Sequence, residues 1–461
     1  MSYFRSVDRQ TAYLLPPSLE EWLPEHHLAR FVVEVVEGLD LSRLVRAYGG
    51  RGSAAYHPAM LLSLLVYGYA TGVFSSRGIE RATYDSVAFR YIAAGEHPDH
   101  DTLANFRRRF LDDLAGIFVQ VLEVAHEMKL LKVGTISVDG TKIHANASRH
   151  SALSHGHIEK LETQLKAEVQ ELLTLAERAD GANIPDGMNL PDEIKRREDR
   201  LTAMAEAKAK IAIRAKTRFE EEQAAYQEKL AQREAKEKET GKRRSGPPPS
   251  PPSSGPRPTD QINLTDEDSR IMKVSAGGFE QAYNAQAAVD TSSLLVVVPM
   301  VTQATNDREQ VEPMVTQLIA LPSALGRVEQ LLADTGYSSE KNLTRCEEAK
   351  IEPLIPVGRE NHHLGWKSRF VEPDPLPPNA APLKRMAHRL QTKAGRALYA
   401  LRKQTVEPVF GIIKSVMGFR QFLLRGLDRV SGEWRLVCLA WNLKHMAVLR
   451  LQQPISIKFR S

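Results

Sequence analysis

Three acidic side chains have sequence positions that would allow them to bind a metal ion together. Asp139 ends a short β-rich run, VGTISVD, and Asp334 ends a second one, VEQLLAD. Glu407 is one of the few acids in a strongly basic segment. Carboxylate oxygens are hard ligands that suit Mg²⁺ or Mn²⁺, and without a cation clustered carboxylates repel one another. Taken singly, Asp139 and Asp334 are more simply explained by ordinary turns, because glycine follows each within two residues.

Acids surrounded by cations are suited to chemistry on phosphodiesters. Two divalent ions about 3.5–4 Å apart can activate an attacking oxygen and stabilise a leaving one. From Lys384 to Ser461 the chain has sixteen lysines and arginines but three acids, although its total net charge is only +5. Lysine and arginine hold phosphate backbones, so this segment predicts a nucleic-acid partner. A solubilising surface is the plain alternative.

A mixed α/β fold must position these acids. The order of patterns is one strand, a long interruption, two strands, and then alternating helices and strands before the last helices, which is typical of a mixed sheet flanked by helices. The strands after the interruption are YNAQAAVD, LLVVVPMVT, VEQLLAD and IEPLIPV. Asn306 and Glu309 have capping-box spacing and predict the start of a helix that ends near Ala320. Ser339 predicts the cap of the next helix.

Residues 1–130 predict a helical N-terminal domain. The segment HPAMLLSLLVYGYATG is apolar nearly all round and indicates a buried helix. The helices that follow, joined by a Gly/Pro turn, fit a helix-turn-helix. Its second helix carries Arg107, Arg108 and Arg109, which are candidate DNA contacts. A helical hairpin within a bundle explains the same pattern equally well.

The long interruption predicts an inserted, coiled-coil-like helical hairpin. Apolar residues recur at heptad-like spacing from Ile158 to Ala176. A second, highly charged helix runs from about Asp192 to Thr240, and the Pro/Ser-rich GKRRSGPPPSPPSSGPRP then predicts a flexible linker. The predicted domains are 1–130, a core made of 131–149 and 262–461, and the insertion 150–261.

These segments together resemble a bacterial insertion-sequence transposase of the DDE class. The matching stretches are SVDGTKIHANAS, YNAQAAVD, LLADTGYSS and RKQTVEPVFGIIK, and the helical N-terminal region is similar to that of such transposases. The resemblance implies a retroviral-integrase-like (RNase H-like) catalytic core in which Asp139, Asp334 and Glu407 are the catalytic acids and hold Mg²⁺, with Mn²⁺ as a substitute. It also implies binding of the element's terminal repeats, DNA cleavage and strand transfer.

Related transposases share a Tyr–Arg–Glu–Lys signature. The matching residues here are Tyr399, Arg402, Glu407 and Lys414. The signature has three residues between its arginine and its glutamate. Here four residues separate Arg402 from Glu407, and three separate Lys403 from Glu407. Either cation can therefore take the arginine's role in contacting DNA. Pro408 follows Glu407 and predicts a kink or a helix start there, because the residue before proline disfavours helical geometry.

The implied partners are double-stranded DNA, as transposon ends and as target, and a second copy of the chain, since two ends must be held together. Two other functions stay open: a metal-dependent nuclease that does not join strands, and a non-catalytic, transposon-derived DNA-binding protein. A haloacid-dehalogenase-type phosphatase is set aside, because Ser137 stands where its nucleophilic aspartate is required.

The sequence also predicts where in the cell the protein is found. No apolar run reaches the roughly 18 residues that span a membrane, and the polar MSYFRSVDRQ lacks the apolar core of a secretory signal. The two cysteines, Cys346 and Cys438, indicate neither a disulfide framework nor a zinc site. We expect a cytoplasmic bacterial protein that associates with the nucleoid and has no membrane partner.

Overall fold

The computed structural model describes residues 18–48, 55–177, 189–240, 246–274, 277–358, 371–377 and 380–452. The chain divides into two compact units. The first, called the sheet unit, consists of the described residues in Met1–Ala145, Met272–Gly278 and Ala282–Ser461. The second, called the hairpin unit, falls within Asn146–Ile271 and Phe279–Gln281.

A six-stranded mixed sheet positions the candidate acids. The described strands are β1 (Val133–His144), β2 (Ala152–Ser154), β3 (Gln261–Asn263), β4 (Arg270–Lys273), β5 (Phe279–Asp290), β6 (Val296–Thr302), β7 (Gly326–Leu332) and β8 (Glu352–Leu354). Strand β5 pairs antiparallel with β1 and β6, and it also pairs with β4. Strand β7 pairs parallel with β1 and β8. Strand β7 ends at Leu332, opposite Ser137, whereas β1 continues to His144 because it stays paired with β5. The strand end predicted at Asp139 is therefore wrong.

Helices account for most of the remaining described residues. Those before β1 are α1 (Leu19–Trp22), α2 (Leu28–Glu37), α3 (Ser42–Arg46), α4 (Pro58–Thr71), α5 (Ser76–Asp85), α6 (Val87–Ile92), α7 (His100–Arg109) and α8 (Leu114–Glu127). Those after β1 are α9 (His155–Glu177), α10 (Leu190–Thr240), α11 (Val311–Ile319), α12 (Glu340–Glu348), α13 (Pro382–Gln391), α14 (Lys393–Ser415) and α15 (Leu427–Gln452). The mixed α/β class predicted from the sequence is confirmed.

Helix α4 shows how local sequence sets an element. The His57 side chain accepts a hydrogen bond from the Ala59 N–H, and Pro58 occupies the first helical position. Gly72 ends the helix with a left-handed φ of 85°, which glycine adopts without strain. Most residues of α4 are buried, as its all-round apolar pattern predicts.

A buried polar hub ties the N-terminal helices to α15 within the sheet unit. Glu433 is fully buried and accepts hydrogen bonds from the Tyr69 hydroxyl at 2.8 Å and from the backbone N–H groups of Leu423 and Leu424 at 3.0 Å each. Arg107 Nη1 donates to the same Tyr69 oxygen at 3.0 Å. The N-terminal helices therefore belong to the same compact unit as the sheet, and a separate domain ending near residue 130 stays a prediction.

The hairpin unit has its own small core. Its helices α9 and α10 and its antiparallel β2–β3 pair contribute the buried residues Leu153, Ile158, Leu165, Met204, Ala207, Ile211 and Ile262. The described part of the Pro/Ser-rich segment packs along α10: Arg233 donates to Gly246 O and Pro247 O at 3.1 Å, and Arg257 pairs with Glu222 at 2.8 Å. The helical hairpin predicted from the sequence is present.

The capping box predicted at Asn306 and Glu309 is wrong. Helix α11 begins at Val311, and its N-cap residue, Gln310, forms no side-chain cap. The neighbouring Asp307 carboxylate instead accepts hydrogen bonds from side chains of β5, which holds this segment against the sheet. Ser339 caps α12 as predicted, accepting from the Asn342 N–H at 3.1 Å.

Among the described residues, no single helix has the length and apolarity needed to cross a membrane. Helices α4 and α5 together are long and apolar enough, by length and composition alone, but the chain bends by 94° between them.

Candidate active site

Asp139 lies within β1, and Asp334 lies just past the end of the neighbouring parallel strand, β7. Ser137 of β1 pairs with Leu332 of β7, and each acid lies two residues beyond its paired neighbour. Burial and the negative charges of Asp334 and Asp307 raise the pKa of Asp139 to about 6, against opposing contributions from the Gly140 N–H and Arg402. The charges of Asp139 and Asp334 therefore interact at the edge of the sheet where β7 ends beside β1.

Arg402 connects this edge to the third acid. It lies on α14, which packs against β1. Its Nη1 lies 3.3 Å from Asp139 Oδ2, and its Nη2 donates to Glu407 Oε1 at 2.9 Å. Burial acts to lower the pKa of Arg402, but the negative charges around it, including those of Asp139, Glu407 and Asp334, raise it overall. All three candidate acids thus act on one guanidinium.

The carboxylates are not arranged as a metal-ligand set. Within the described ranges, no group of three or more His, Cys, Asp or Glu side chains has the geometry to hold a metal ion. The Arg402 guanidinium lies between Asp139 and Glu407, which explains why their oxygens do not meet at one point. Its Nε is buried and has no hydrogen-bond partner among the described residues.

The donor set nevertheless suits a divalent cation. Three carboxylates supply hard oxygen ligands, and Asp139 is held ionised only against a desolvation cost that raises its pKa. The positive charge of Arg402 offsets this cost in part. A metal ion that displaced Arg402 would bind carboxylates that the fold already holds close together, those of Asp139 and Glu407.

The structure distinguishes the two cations that match the signature arginine. Arg402 faces the acids and its side chain is only 11% exposed, whereas Lys403 is exposed on α14. Their contacts with DNA, and those of Tyr399, stay predictions.

Glu407 lies inside α14, so the helix start predicted there is wrong, and the alternative, a kink, stays a prediction. The helix continues through Pro408, which costs it one backbone hydrogen bond. Tertiary packing compensates, because the helix buries one face against the rest of the sheet unit. Its buried residues around the proline are Thr405, Val406, Val409, Phe410 and Ile413.

Strand β5 carries a polar network that was not predicted from the sequence. Gln286 pairs with Gly140, the residue after Asp139. Its Nε2 donates to Asp307 Oδ1 at 2.6 Å, and its Oε1 accepts from the Tyr337 hydroxyl. Tyr337 belongs to the turn that Asp334 opens, so the network fixes that turn to β5. Polar residues alternating within the otherwise apolar YNAQAAVD were the available signal.

Gly140→Ala should destabilise the protein by roughly 1–3 kcal/mol, the usual cost of overpacking. A Cβ at position 140 would lie 2.1 Å from Gln286 Nε2 and 2.7 Å from Asp307 Oδ1. Gly134→Ala, on the same strand, is the matched control, because a Cβ there meets nothing within 4 Å. Chemical denaturation measures both variants, and equal free energies of unfolding would contradict the close approach.

Two of the three candidate N-terminal DNA contacts are engaged within the protein. Arg107 bonds to Tyr69, as described above. Arg109 donates to Ala47 O, and its guanidinium lies 5.2 Å from the Tyr48 ring centroid. Arg108 is exposed and has no partner among the residues described. Contact of these arginines with DNA stays a prediction.

Comparison with protein families identifies two transposase domains. A transposase DDE domain matches residues 253–443, which include Asp334 and Glu407 but not Asp139. A transposase domain (DUF772) matches residues 17–109. No curated protein and no solved structure matches the chain. The two matches together span more than half of the chain, which belongs to the DDE transposases of insertion sequences.

Proposed function

We propose that the protein binds the terminal repeats of a bacterial insertion sequence and catalyses metal-dependent cleavage and strand transfer of its ends, using an RNase H-like core. The observation that supports this most is that Arg402 pairs with both Asp139 and Glu407 where β7 ends beside β1, with Asp334 two residues past that end. The family matches support the same reaction class. A homodimer that holds two ends is part of the proposal.

Asp139, Asp334 and Glu407 are the residues that would hold Mg²⁺ or Mn²⁺. The chemistry such ions supply is activation of the attacking oxygen and stabilisation of the leaving one. The Asp139 side chain is 18% exposed, whereas that of Glu407 is 47% exposed, so the site is open to DNA on the side of α14. Arg402, once released from the acids, can pair with a DNA phosphate at the same edge.

Incubation of the purified protein with Mg²⁺ and DNA carrying the element's own ends tests the proposal. Denaturing gels should show cleavage at the ends and longer, joined strands, and EDTA should remove both. Cleavage without joining would favour the nuclease alternative. DNA binding with neither product would favour a non-catalytic DNA-binding protein.

Arg402→Gln should bind Mn²⁺ about tenfold more tightly than the wild type. The guanidinium competes with a cation for Asp139 and Glu407, and removing one nearby positive charge is worth more than 1 kcal/mol in a partly buried site. Lys403→Gln removes the same charge from the neighbouring exposed position and should leave the affinity unchanged. Isothermal titration calorimetry measures both, and equal Mn²⁺ affinities in the two variants would count against the competition.

A further inference from the structure

Three cations lie together beside the outgoing half of β1. Lys414 Nζ donates to Thr141 Oγ1 and, at 3.1 Å, to Lys142 O. Arg420 Nε donates to Lys414 O at 3.0 Å. The backbone around Arg420 is itself fixed to β1, because the His144 N–H donates to Arg420 O at 3.1 Å. The positions of Lys142, Lys414 and Arg420 are thus set by the same strand that carries Asp139.

Among the described residues, Asp307 is the one acid that forms an ion pair with any of these three cations. Lys142 Nζ lies 3.7 Å from Asp307 Oδ1, and its side chain is only 17% exposed. Neither Lys414 nor Arg420 forms an ion pair with any residue the structure describes. Burial and the positive charges of Lys142 and Arg420 lower the pKa of Lys414. Partly desolvated cations that repel one another are stabilised when an anion binds.

The extent of the group fits a polyanion better than a single phosphate. Lys414 contacts β1 at Thr141 through its ammonium, and Arg420 contacts it at His144 through its backbone oxygen. At about 3.3 Å per residue, these contacts span roughly 10 Å of the strand. A DNA strand presents a series of phosphates over such a length. The group also begins two residues from Asp139, so a strand lying along it passes the acids.

We propose that Lys142, Lys414 and Arg420 form a phosphate track that holds consecutive phosphates of the DNA strand beside the acids. The track rests on the proposed function and extends it, because Lys142 and Arg420 lie outside the Tyr–Arg–Glu–Lys signature that predicts a DNA contact for Lys414. Lys142 is held by its ion pair with Asp307, at 3.7 Å.

Salt-dependent binding of the full-length protein tests the track. Fluorescence anisotropy would follow a labelled duplex carrying one element end, in EDTA, between about 50 and 300 mM salt. A lost phosphate contact reduces the slope of log K against log salt by about 0.9. Lys142→Gln and Arg420→Gln should each weaken binding and reduce the slope by this amount, whereas Arg420→Lys should keep the wild-type slope.

Arg327→Gln is the matched control, because Arg327 is exposed at the amino end of β7, at the opposite edge of the sheet from the acids. It should bind as the wild type does. Arg420 is exposed, so Arg420→Gln tests the track even if Lys142→Gln fails to fold. Wild-type slopes for Arg420→Gln and any folded Lys142→Gln protein would overturn the track but not the proposed function. A wild-type protein that binds no DNA would overturn both.

Discussion

Asp139→Asn should abolish DNA cleavage while making the protein more stable at neutral pH. Asparagine keeps the shape of the side chain but removes a charge and a good metal ligand. Because bound metal contributes several kcal/mol to phosphodiester cleavage, the rate should fall on the order of 10³-fold. DNA affinity rests on lysines and arginines, so it should stay near the wild-type value, even without Mg²⁺.

The gain in stability follows from the pKa of Asp139. This pKa is about 6 in the folded protein, above the ordinary aspartate value of 3.8, so the folded state favours the protonated carboxyl. The stability that protonation provides is fully present below about pH 4 and is lost as pH rises through about 6. Above pH 6 the cost of ionisation is about 3 kcal/mol, at about 1.4 kcal/mol per pKa unit.

Urea denaturation without divalent metal measures this difference. Asp139→Asn should be more stable than the wild type at pH 7.5, and the difference should shrink toward pH 4. Glu329→Gln is the control, because it neutralises an exposed acid on β7 and should change little at either pH. An Asp139→Asn protein less stable than the wild type at pH 7.5 would mean that the carboxylate is held by net favourable contacts.

Glu433→Ala should cost about 3–5 kcal/mol of folding stability, the range for breaking a buried charged network. The substitution removes the acceptor for the Tyr69 hydroxyl and for the backbone N–H groups of Leu423 and Leu424. It also leaves Arg107 without the nearest compensating negative charge of the hub. The Tyr69 hydroxyl is buried and gains no water in exchange, whereas the two backbone donors are only partly buried.

Calorimetry of thermal unfolding measures this loss. Asp428→Ala is the matched control, since it removes an exposed acid from the first turn of the same helix, α15. The melting temperature should fall by many degrees for Glu433→Ala and change little for Asp428→Ala. Similar melting temperatures for the two variants would contradict the hub.

The sequence was sufficient to predict elements whose signals are local. The β-rich run before Asp334 and the helix cap at Ser339 each depend on a few neighbouring residues, and both are present. The sequence also predicted the approach of Asp139 to Asp334, but the predicted cause, two strand ends at one edge, was wrong. Strand β1 continues to His144 along β5, and Asp334 approaches it because β7 ends beside Ser137. Their joint function with Glu407 stays a proposal.

Features that depend on distant partners could not be predicted in this way. Arg107 reads as an available cation on its helix, yet it bonds to Tyr69, whose own acceptor, Glu433, is 364 residues away from Tyr69 in sequence. Asn306 has the local spacing of a cap, but Asp307 beside it is held by β5 side chains. In each case a tertiary contact outweighs a local preference of about 1 kcal/mol.

Single-turnover cleavage of an element-end duplex in Mg²⁺ tests most directly whether the three acids act as one unit. Asp139→Asn, Asp334→Asn and Glu407→Gln should each reduce the rate on the order of 10³-fold at unchanged DNA affinity. The triple variant should be scarcely slower than any single one, because residues that act together are strongly non-additive. Wild-type cleavage by any of the single variants would contradict the account.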